Sequence, residues 1–139
     1  MLESEGINPS EDKKIDLYRV ACLVVDDNLI NQKILCKLVK RLGIDSDVAN
    51  NGVQAVEAVQ QKTYDLIFMD IQMPLMDGIE ATQKILNDSK IAKKPIIIAV
   101  TANTSDDAKK KCRDCGMKDF LSKPITFKVV QNAIHQWFA

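Results

Sequence analysis

The sequence lacks the features that would assign it to a membrane or to a nucleic acid. Its longest apolar runs hold roughly five residues, far short of the ~20 that a bilayer-spanning helix needs. The first twenty residues carry carboxylates such as Glu3, Glu5 and Glu11 and no apolar stretch of signal-peptide length. With 19 basic and 19 acidic residues, the net charge is zero, so the basic excess typical of nucleic-acid binding is missing. We therefore expect a soluble cytoplasmic protein that binds no nucleic acid and makes no direct membrane contact.

Cysteine and histidine are too few, or wrongly spaced, for common metal and redox sites. The four cysteines form no paired CxxC…CxxC framework, so a zinc site is poorly supported. Cys112 and Cys115 have redox spacing but fall late in a Lys-rich helical pattern, whereas a reactive thiolate is favoured at a helix start. No GxGxxG or GxxxxGK[ST] motif is present, so nucleotide binding is not predicted either.

The length and composition favour one folded domain preceded by a tail. A chain of 139 residues with 46% apolar residues suits a single hydrophobic core. Residues 1–19 are polar and aperiodic, which predicts a tail or linker. Residues 20–139 are predicted to form the domain itself.

Short apolar runs alternate with helical patterns along this domain. The runs show no in-out alternation, as expected of strands that are buried on both faces of a parallel sheet. We predict strands at Cys22–Val25, Asp47–Ala49, Leu66–Met69, Ile96–Val100 and Phe120–Leu121. Apolar residues at three- and four-residue spacing predict a helix after each strand, with Gly43 stopping the first and Ser105 or Asp106 capping the fourth. Five β–α units indicate a doubly wound α/β domain with helices on both faces of the sheet.

Polar or charged side chains of a chemically useful type follow four of the five predicted strands. Asp26 and Asp27 follow the first strand, Asp70 the third, Thr101 the fourth and Lys123 the fifth. Any one aspartate alone would usually be a helix cap or a turn residue. Because sites in such sheets form beyond the carboxyl ends of the strands, we expect the five groups to share one cleft. Clustered carboxylates suit Mg²⁺, and a carboxylate beside an ion, an amine and a hydroxyl suits phosphoryl transfer.

Four stretches of the sequence resemble the receiver-domain family of response regulators. They are Leu23–Asn28 (LVVDDN), Met69–Gly78 (MDIQMPLMDG), Ala99–Asn103 (AVTAN) and Lys123–Pro124. The resemblance runs from about Val20 to Phe138 and is strongest to receivers of hybrid sensor histidine kinases. It implies a flavodoxin-like fold, in which a five-stranded parallel sheet has the strand order 2-1-3-4-5.

The resemblance also implies roles for individual residues. Asp70 would be the phosphoacceptor. A Mg²⁺ ion, for which Mn²⁺ could substitute, would be held by three carboxylates and one backbone carbonyl, those of Asp26, Asp27, Asp70 and Gln72. Thr101 and Lys123 would contact the phosphoryl group, and Phe120 would act with Thr101 as the switch. The Lys123–Pro124 peptide bond is expected to be cis.

The activity that the resemblance implies is that of a phosphoacceptor in a two-component phosphorelay. The donor would be a phosphohistidine on a histidine kinase or on a histidine phosphotransfer protein. The domain would catalyse its own phosphorylation and slow dephosphorylation, and would not be a multiple-turnover hydrolase. We expect a monomer, acting alone or as the cytosolic segment of a longer hybrid kinase.

Two other functions fit the residues less well. A haloacid-dehalogenase-like phosphatase needs an aspartate as general acid two residues after the nucleophile, where this chain has Gln72. A histidine phosphotransfer module could use His135, the only histidine, but such modules are helical bundles and the strand pattern argues against one.

Overall fold

A five-stranded parallel β-sheet forms the centre of the fold. The computed structural model describes residues 19–138, so Ala139 and residues 1–18 of the predicted tail (residues 1–19) lie outside the described residues. The strands are β1 (Cys22–Val25), β2 (Ser46–Ala49), β3 (Leu66–Asp70), β4 (Ile96–Thr101) and β5 (Asp119–Ser122). Their order across the sheet is β2-β1-β3-β4-β5, and every neighbouring pair is parallel. This confirms the predicted doubly wound, flavodoxin-like topology.

Within residues 19–138, five helices connect and follow the strands. They are α1 (Leu29–Lys40), α2 (Gly52–Gln61), α3 (Gly78–Asn87), α4 (Asp106–Cys115) and α5 (Phe127–Phe138). Ser105, and not Asp106, caps α4, because its side chain accepts a hydrogen bond from the backbone N–H of Ala108. Gly116 ends that helix in the left-handed region, at φ 105°, which a glycine adopts without steric cost. Among residues 19–138, no helix is both long and apolar enough to cross a membrane.

The hydrophobic core has two halves, one on each face of the sheet. Successive strand residues point to opposite faces, so Leu23 packs in one half and Val24 in the other, and both are fully buried. One half lies beneath α1 and α5, and the other beneath α2, α3 and α4. Each fully buried large aliphatic side chain contributes about 1.5–3 kcal/mol to stability. This double coverage explains why β1, β3 and β4 read as apolar runs, whereas the edge strands β2 and β5 include exposed polar residues.

The cysteines serve the core as small apolar residues. All four are free thiols, and Cys22 and Cys112 are buried. Burial raises the pKa of the Cys112 thiol to about 11 and also raises the pKa of Cys115. A thiol with a raised pKa is mostly protonated at neutral pH, so this CxxC pair lacks the reactive thiolate of a redox site.

Candidate functional site

Three carboxylates meet at the carboxyl-terminal edge of the sheet. Asp26 and Asp27 follow β1, and Asp70 ends the neighbouring strand β3. Each of the three offers an oxygen within 4.8 Å of the others. Asp26 and Asp70 are 5% and 6% exposed, whereas Asp27 is exposed to solvent. Ligands of an octahedral Mg²⁺ lie at most about 4.2 Å apart, so a small adjustment would let these oxygens bind a single ion, with Asp27 open to its water ligands.

The ammonium group of Lys123 contacts two of these carboxylates. Its Nζ lies 3.1 Å from Oδ2 of Asp26 and 3.4 Å from Oδ2 of Asp70. The backbone of Lys123 is anchored at the same edge of the sheet, because its N–H donates a hydrogen bond of 2.9 Å to the carbonyl of Thr101. The Lys123–Pro124 peptide bond is cis. The cleft therefore contains a fixed positive charge between two buried negative ones.

Thr101 lies on the strand beside Asp70, at the same edge of the sheet. Asp70 is paired in register with Val100, so Thr101 is the next residue along β4. Its side chain is 1% exposed, and its Oγ1 accepts a hydrogen bond of 3.0 Å from the backbone N–H of Asn103. The hydroxyl can still donate one hydrogen bond of its own. Thr101 is thus a buried donor at the end of a strand adjacent to Asp70.

Phe120 and Gln72 are the two remaining site residues predicted from the sequence. Phe120 is on β5, where it pairs in register with Ala99, is half-buried and packs against the half of the core beneath α4. The ammonium of Lys109 lies 5.7 Å from the centre of its ring, within cation–π range. Gln72 is in the loop after β3, two residues beyond Asp70, and is exposed.

Burial changes the acidity of Asp70. The pKa of its carboxyl group is raised from 3.8 to about 6, chiefly by desolvation, with smaller contributions from the neighbouring Asp26 and Asp27. Lys123 acts in the opposite direction by stabilising the charged form. Above pH 7 the group is mostly ionised, which is the form that a nucleophile requires.

Because the pKa of Asp70 is raised, we expect the free energy of unfolding, measured without bound metal in a chelator, to depend on this residue and on pH. The folded state binds this proton more tightly than the unfolded state, so the ionised Asp70 destabilises the fold progressively as the pH rises from about 4 to 6. Asp70→Asn is expected to raise the free energy of unfolding by about 2–3 kcal/mol at pH 7.5 and by little at pH 4. Urea denaturation in EDTA at both pH values measures this difference.

A carboxylate in an exposed ion pair provides the control for this measurement. Asp45 pairs with Lys40 at the surface, where both side chains are mostly exposed. Asp45→Asn should change stability by under about 1 kcal/mol at either pH. A variant Asp70→Asn no more stable than the wild type at pH 7.5 would contradict the burial argument.

The loop after β3 is held close to the backbone of Asp70. Gly78 begins α3 and donates its N–H to the carbonyl of Ile71 at 2.8 Å. A Cβ atom at Gly78 would lie 2.1 Å from the carbonyl oxygen of Asp70, so only glycine fits. The preceding residue, Asp77, caps α3 by accepting a hydrogen bond of 2.8 Å from the N–H of Glu80. The start of α3 therefore sets the position of Asp70.

The sequence reasoning missed Gln32, a buried polar residue on α1. Its side-chain amide donates two hydrogen bonds, one of 2.6 Å to the backbone carbonyl of Asp26 and one of 2.7 Å to Oδ1 of Asn50. Gln32 lies on the buried face of α1 together with Leu35 and Val39. A glutamine in line with the apolar residues of the helix was the signal that could have identified it.

Comparison with known proteins places the chain in one family. The model of the response regulator receiver domain matches residues 22–135. Hybrid signal transduction histidine kinase B of Dictyostelium discoideum is 50% identical over 113 residues, which cover 74% of this chain and 6% of that kinase. The chain thus spans only a small part of that relative.

Two solved structures share both fold and sequence with the chain. The receiver domain of sensor histidine kinase PA1611 from Pseudomonas aeruginosa, with a magnesium ion in its active site cleft, is 32% identical at a TM-score of 0.77. That alignment covers 86% of this chain and 97% of that one. The receiver domain of the response regulator Ssk1 from Saccharomyces cerevisiae, bound to the histidine phosphotransfer protein Ypd1, is 34% identical at a TM-score of 0.79, with coverage of 86% and 88%. Fold, sequence and cleft agree, and the chain belongs to the response regulator receiver domain family.

Proposed function

We propose that Asp70 accepts a phosphoryl group from a phosphohistidine and that Asp26 and Asp27 hold a Mg²⁺ ion beside it. The observation that carries this proposal is the cluster of three carboxylates within 4.8 Å, two of them in contact with the amine of Lys123. The receiver domain of PA1611, 32% identical, holds a magnesium ion in its active site cleft. The backbone carbonyl of Gln72 is a further proposed ligand, and Mn²⁺ is proposed to substitute for Mg²⁺.

The proposed reaction is a direct displacement at phosphorus. A carboxylate oxygen of Asp70 forms the new P–O bond, the P–N bond to the histidine breaks, and the imidazole keeps the electron pair. Mg²⁺, when bound, neutralises charge on the oxygens of the transferred group. Lys123 pairs with another of these oxygens, and the hydroxyl of Thr101 donates a hydrogen bond to the group.

We also propose that phosphorylation shifts the domain between two arrangements. The hydroxyl oxygen of Thr101 now accepts a hydrogen bond from the N–H of Asn103. Moving Thr101 toward a phosphoryl group would vacate space beside β5, into which the half-buried ring of Phe120 could turn. The phosphoryl group stabilises that arrangement only if it gains contacts there that the other lacks.

The same residues favour a phosphoacceptor over a multiple-turnover phosphatase. Gln72 lies two residues after Asp70, where its amide cannot act as a general acid at neutral pH. We expect slow self-dephosphorylation, since the site is open to water on the side of the exposed Asp27. Turnover of a phosphate ester at several per second would contradict this part of the proposal.

Intact-mass analysis tests the proposed function directly. The wild-type chain treated with acetyl phosphate and Mg²⁺ is expected to gain the mass of one phosphoryl group. Mn²⁺ in place of Mg²⁺ should support the same reaction, whereas EDTA should prevent it because the charge on the transferred oxygens would not be neutralised. Equal labelling in EDTA would rule out the role of the metal ion.

We propose a histidine phosphotransfer protein or a histidine kinase as the partner, docking on α1. Leu29, Ile30 and Ile34 are 64%, 69% and 46% exposed on this helix. Ile34 also lines a largely apolar cavity of about 320 Å³ that reaches Asp26 and Lys123. Leu38, further along α1, is half-buried against the core and does not extend this strip. The Ssk1 receiver, 34% identical, is seen bound to a phosphotransfer protein.

A charge placed in this apolar strip should weaken docking without affecting the chemistry. Ile30→Asp is expected to slow transfer from a phosphorylated histidine phosphotransfer protein about tenfold or more, because burying an unpaired carboxylate is costly. Labelling by acetyl phosphate should stay unchanged. Val48→Asp, which alters another apolar side chain that is 50% exposed, is the matched control. Equal slowing by both variants would contradict docking on α1.

The setting of the domain is also a proposal. We propose that it works in the cytosol as a monomer, either alone or as a segment of a hybrid kinase. Its four free cysteines suit a reducing compartment. Its 50% identity to a segment of a hybrid kinase supports the second arrangement.

A further inference from the structure

We infer that Gln32 is a positioning residue for the metal site, because it fixes the peptide bond that joins Asp26 to Asp27. The inference rests on the proposed function, in which these two residues hold Mg²⁺. Gln32 is 5% exposed, and its amide donates a hydrogen bond of 2.6 Å to the backbone carbonyl of Asp26. A peptide unit is planar, so fixing its oxygen also fixes the direction in which the chain enters Asp27.

The backbone around Asp26 is held at three points, of which Gln32 provides one. The N–H of Asp26 donates to the carbonyl of Ala49 at 3.1 Å, and its Oδ1 accepts from the N–H of Asn28 at 2.9 Å. These two contacts orient the backbone N–H of Asp26 and its carboxylate. The hydrogen bond from Gln32 acts on the backbone carbonyl of Asp26, in the peptide unit that leads to the exposed Asp27. Asp27 is exposed to solvent, so the direction of its backbone determines where its carboxylate lies relative to Asp26 and Asp70.

Gln32 also joins this backbone to a second loop at the same edge of the sheet. Its other N–H donates a hydrogen bond of 2.7 Å to Oδ1 of Asn50, which follows β2. Two residues later, the N–H of Gly52 donates a hydrogen bond of 3.1 Å to the carbonyl of Met76, in the loop after Asp70. Residues 50–52 therefore contact Gln32 on one side and the loop after Asp70 on the other. Groups that orient metal ligands in this way commonly change metal affinity 10–100-fold when they are removed.

The chemistry of the position calls for a neutral side chain with two donors. Both partners of Gln32 are oxygen acceptors, and one amide nitrogen supplies both hydrogens. Gln32→Met keeps the length of the side chain and removes both donors. Asn50→Ala removes one acceptor at an exposed residue and leaves the core intact. Val39→Ala, at a buried site further along α1, lowers stability with no contact to the carboxylates and is the matched control.

Titration with MgCl₂ by isothermal calorimetry tests the inference without any phosphorylation assay. We expect Gln32→Met to weaken Mg²⁺ binding about tenfold and Asn50→Ala to weaken it about threefold. The double variant should lose less Mg²⁺ affinity than the product of the two single fold-changes, because both substitutions remove the same hydrogen bond between Gln32 and Asn50. Val39→Ala should lower the urea midpoint while leaving the dissociation constant within twofold.

The outcomes separate this inference from the proposed function. A wild-type chain that binds no Mg²⁺ would overturn the proposed function itself. Wild-type binding with Asn50→Ala and Gln32→Met both within twofold would overturn the positioning role alone. If Gln32→Met fails to fold, the dissociation constant of Asn50→Ala decides between the two results.

Discussion

Replacing Asp70 by asparagine is expected to abolish phosphorylation by acetyl phosphate in the presence of Mg²⁺. The amide is almost the same size as the carboxylate, but its neutral nitrogen and oxygen cannot form the acyl phosphate. The two other carboxylates cannot replace it, because in the proposal they bind the metal ion. Intact-mass analysis of the treated variant should show no added phosphoryl group.

A neighbouring aspartate provides the matched control for this experiment. Asp77 lies in the loop that follows Asp70 and caps α3 through its side chain. Asparagine caps helices as well as aspartate does, so Asp77→Asn should fold and accept the phosphoryl group like the wild type. Undiminished labelling of Asp70→Asn would end the assignment of Asp70 as the phosphoacceptor.

Substituting alanine for Gly78 is expected to damage both stability and phosphorylation. The new Cβ would lie 2.1 Å from the carbonyl oxygen of Asp70, so either the start of α3 or the end of β3 must move. We expect a loss of about 3 kcal/mol in the free energy of unfolding, near the upper end for overpacking. A displacement of Asp70 by even 1 Å should slow phosphorylation on the order of a hundredfold.

Another glycine tests whether the effect on phosphorylation is local. Gly116 ends α4 with φ 105°, and a Cβ there would meet the side chain of Leu86. Gly116→Ala should therefore also destabilise the fold, by about 1–2 kcal/mol. It should leave the labelling rate of the folded protein unchanged, as measured by mass after equal times. Equal slowing by both variants would show that lost stability, and not the position of Asp70, is responsible.

The fold could be predicted largely from local patterns in the sequence. The run from Cys22 to Val25 was predicted as a strand and is β1. The extent of β5 was less clear, because Phe120 and Leu121 are the only apolar residues in a strand of four. The first helix ends at Lys40, three residues before the predicted stop at Gly43, because a turn occupies residues 41–43. Strand order came from the family resemblance, since periodicity alone does not indicate which strands pair.

The sequence by itself determined which chemical groups stand at the ends of the strands. A continuous apolar run needs burial on both faces, and the polar residue that ends each run must then lie at the sheet edge. Asp26, Asp27, Asp70, Thr101 and Lys123 were all found by that reasoning.

Only the tertiary structure decided how those groups interact. The pKa of Asp70 depends on burial and on the charges of residues 26, 27 and 123. All three are distant from Asp70 along the chain. The contact of Gln32 with Asp26 and Asn50 depends on the angle at which α1 packs against the sheet. The need for glycine at position 78 depends on how closely α3 approaches β3. Such distances are set by packing between elements, and the residue pattern within each element does not contain them.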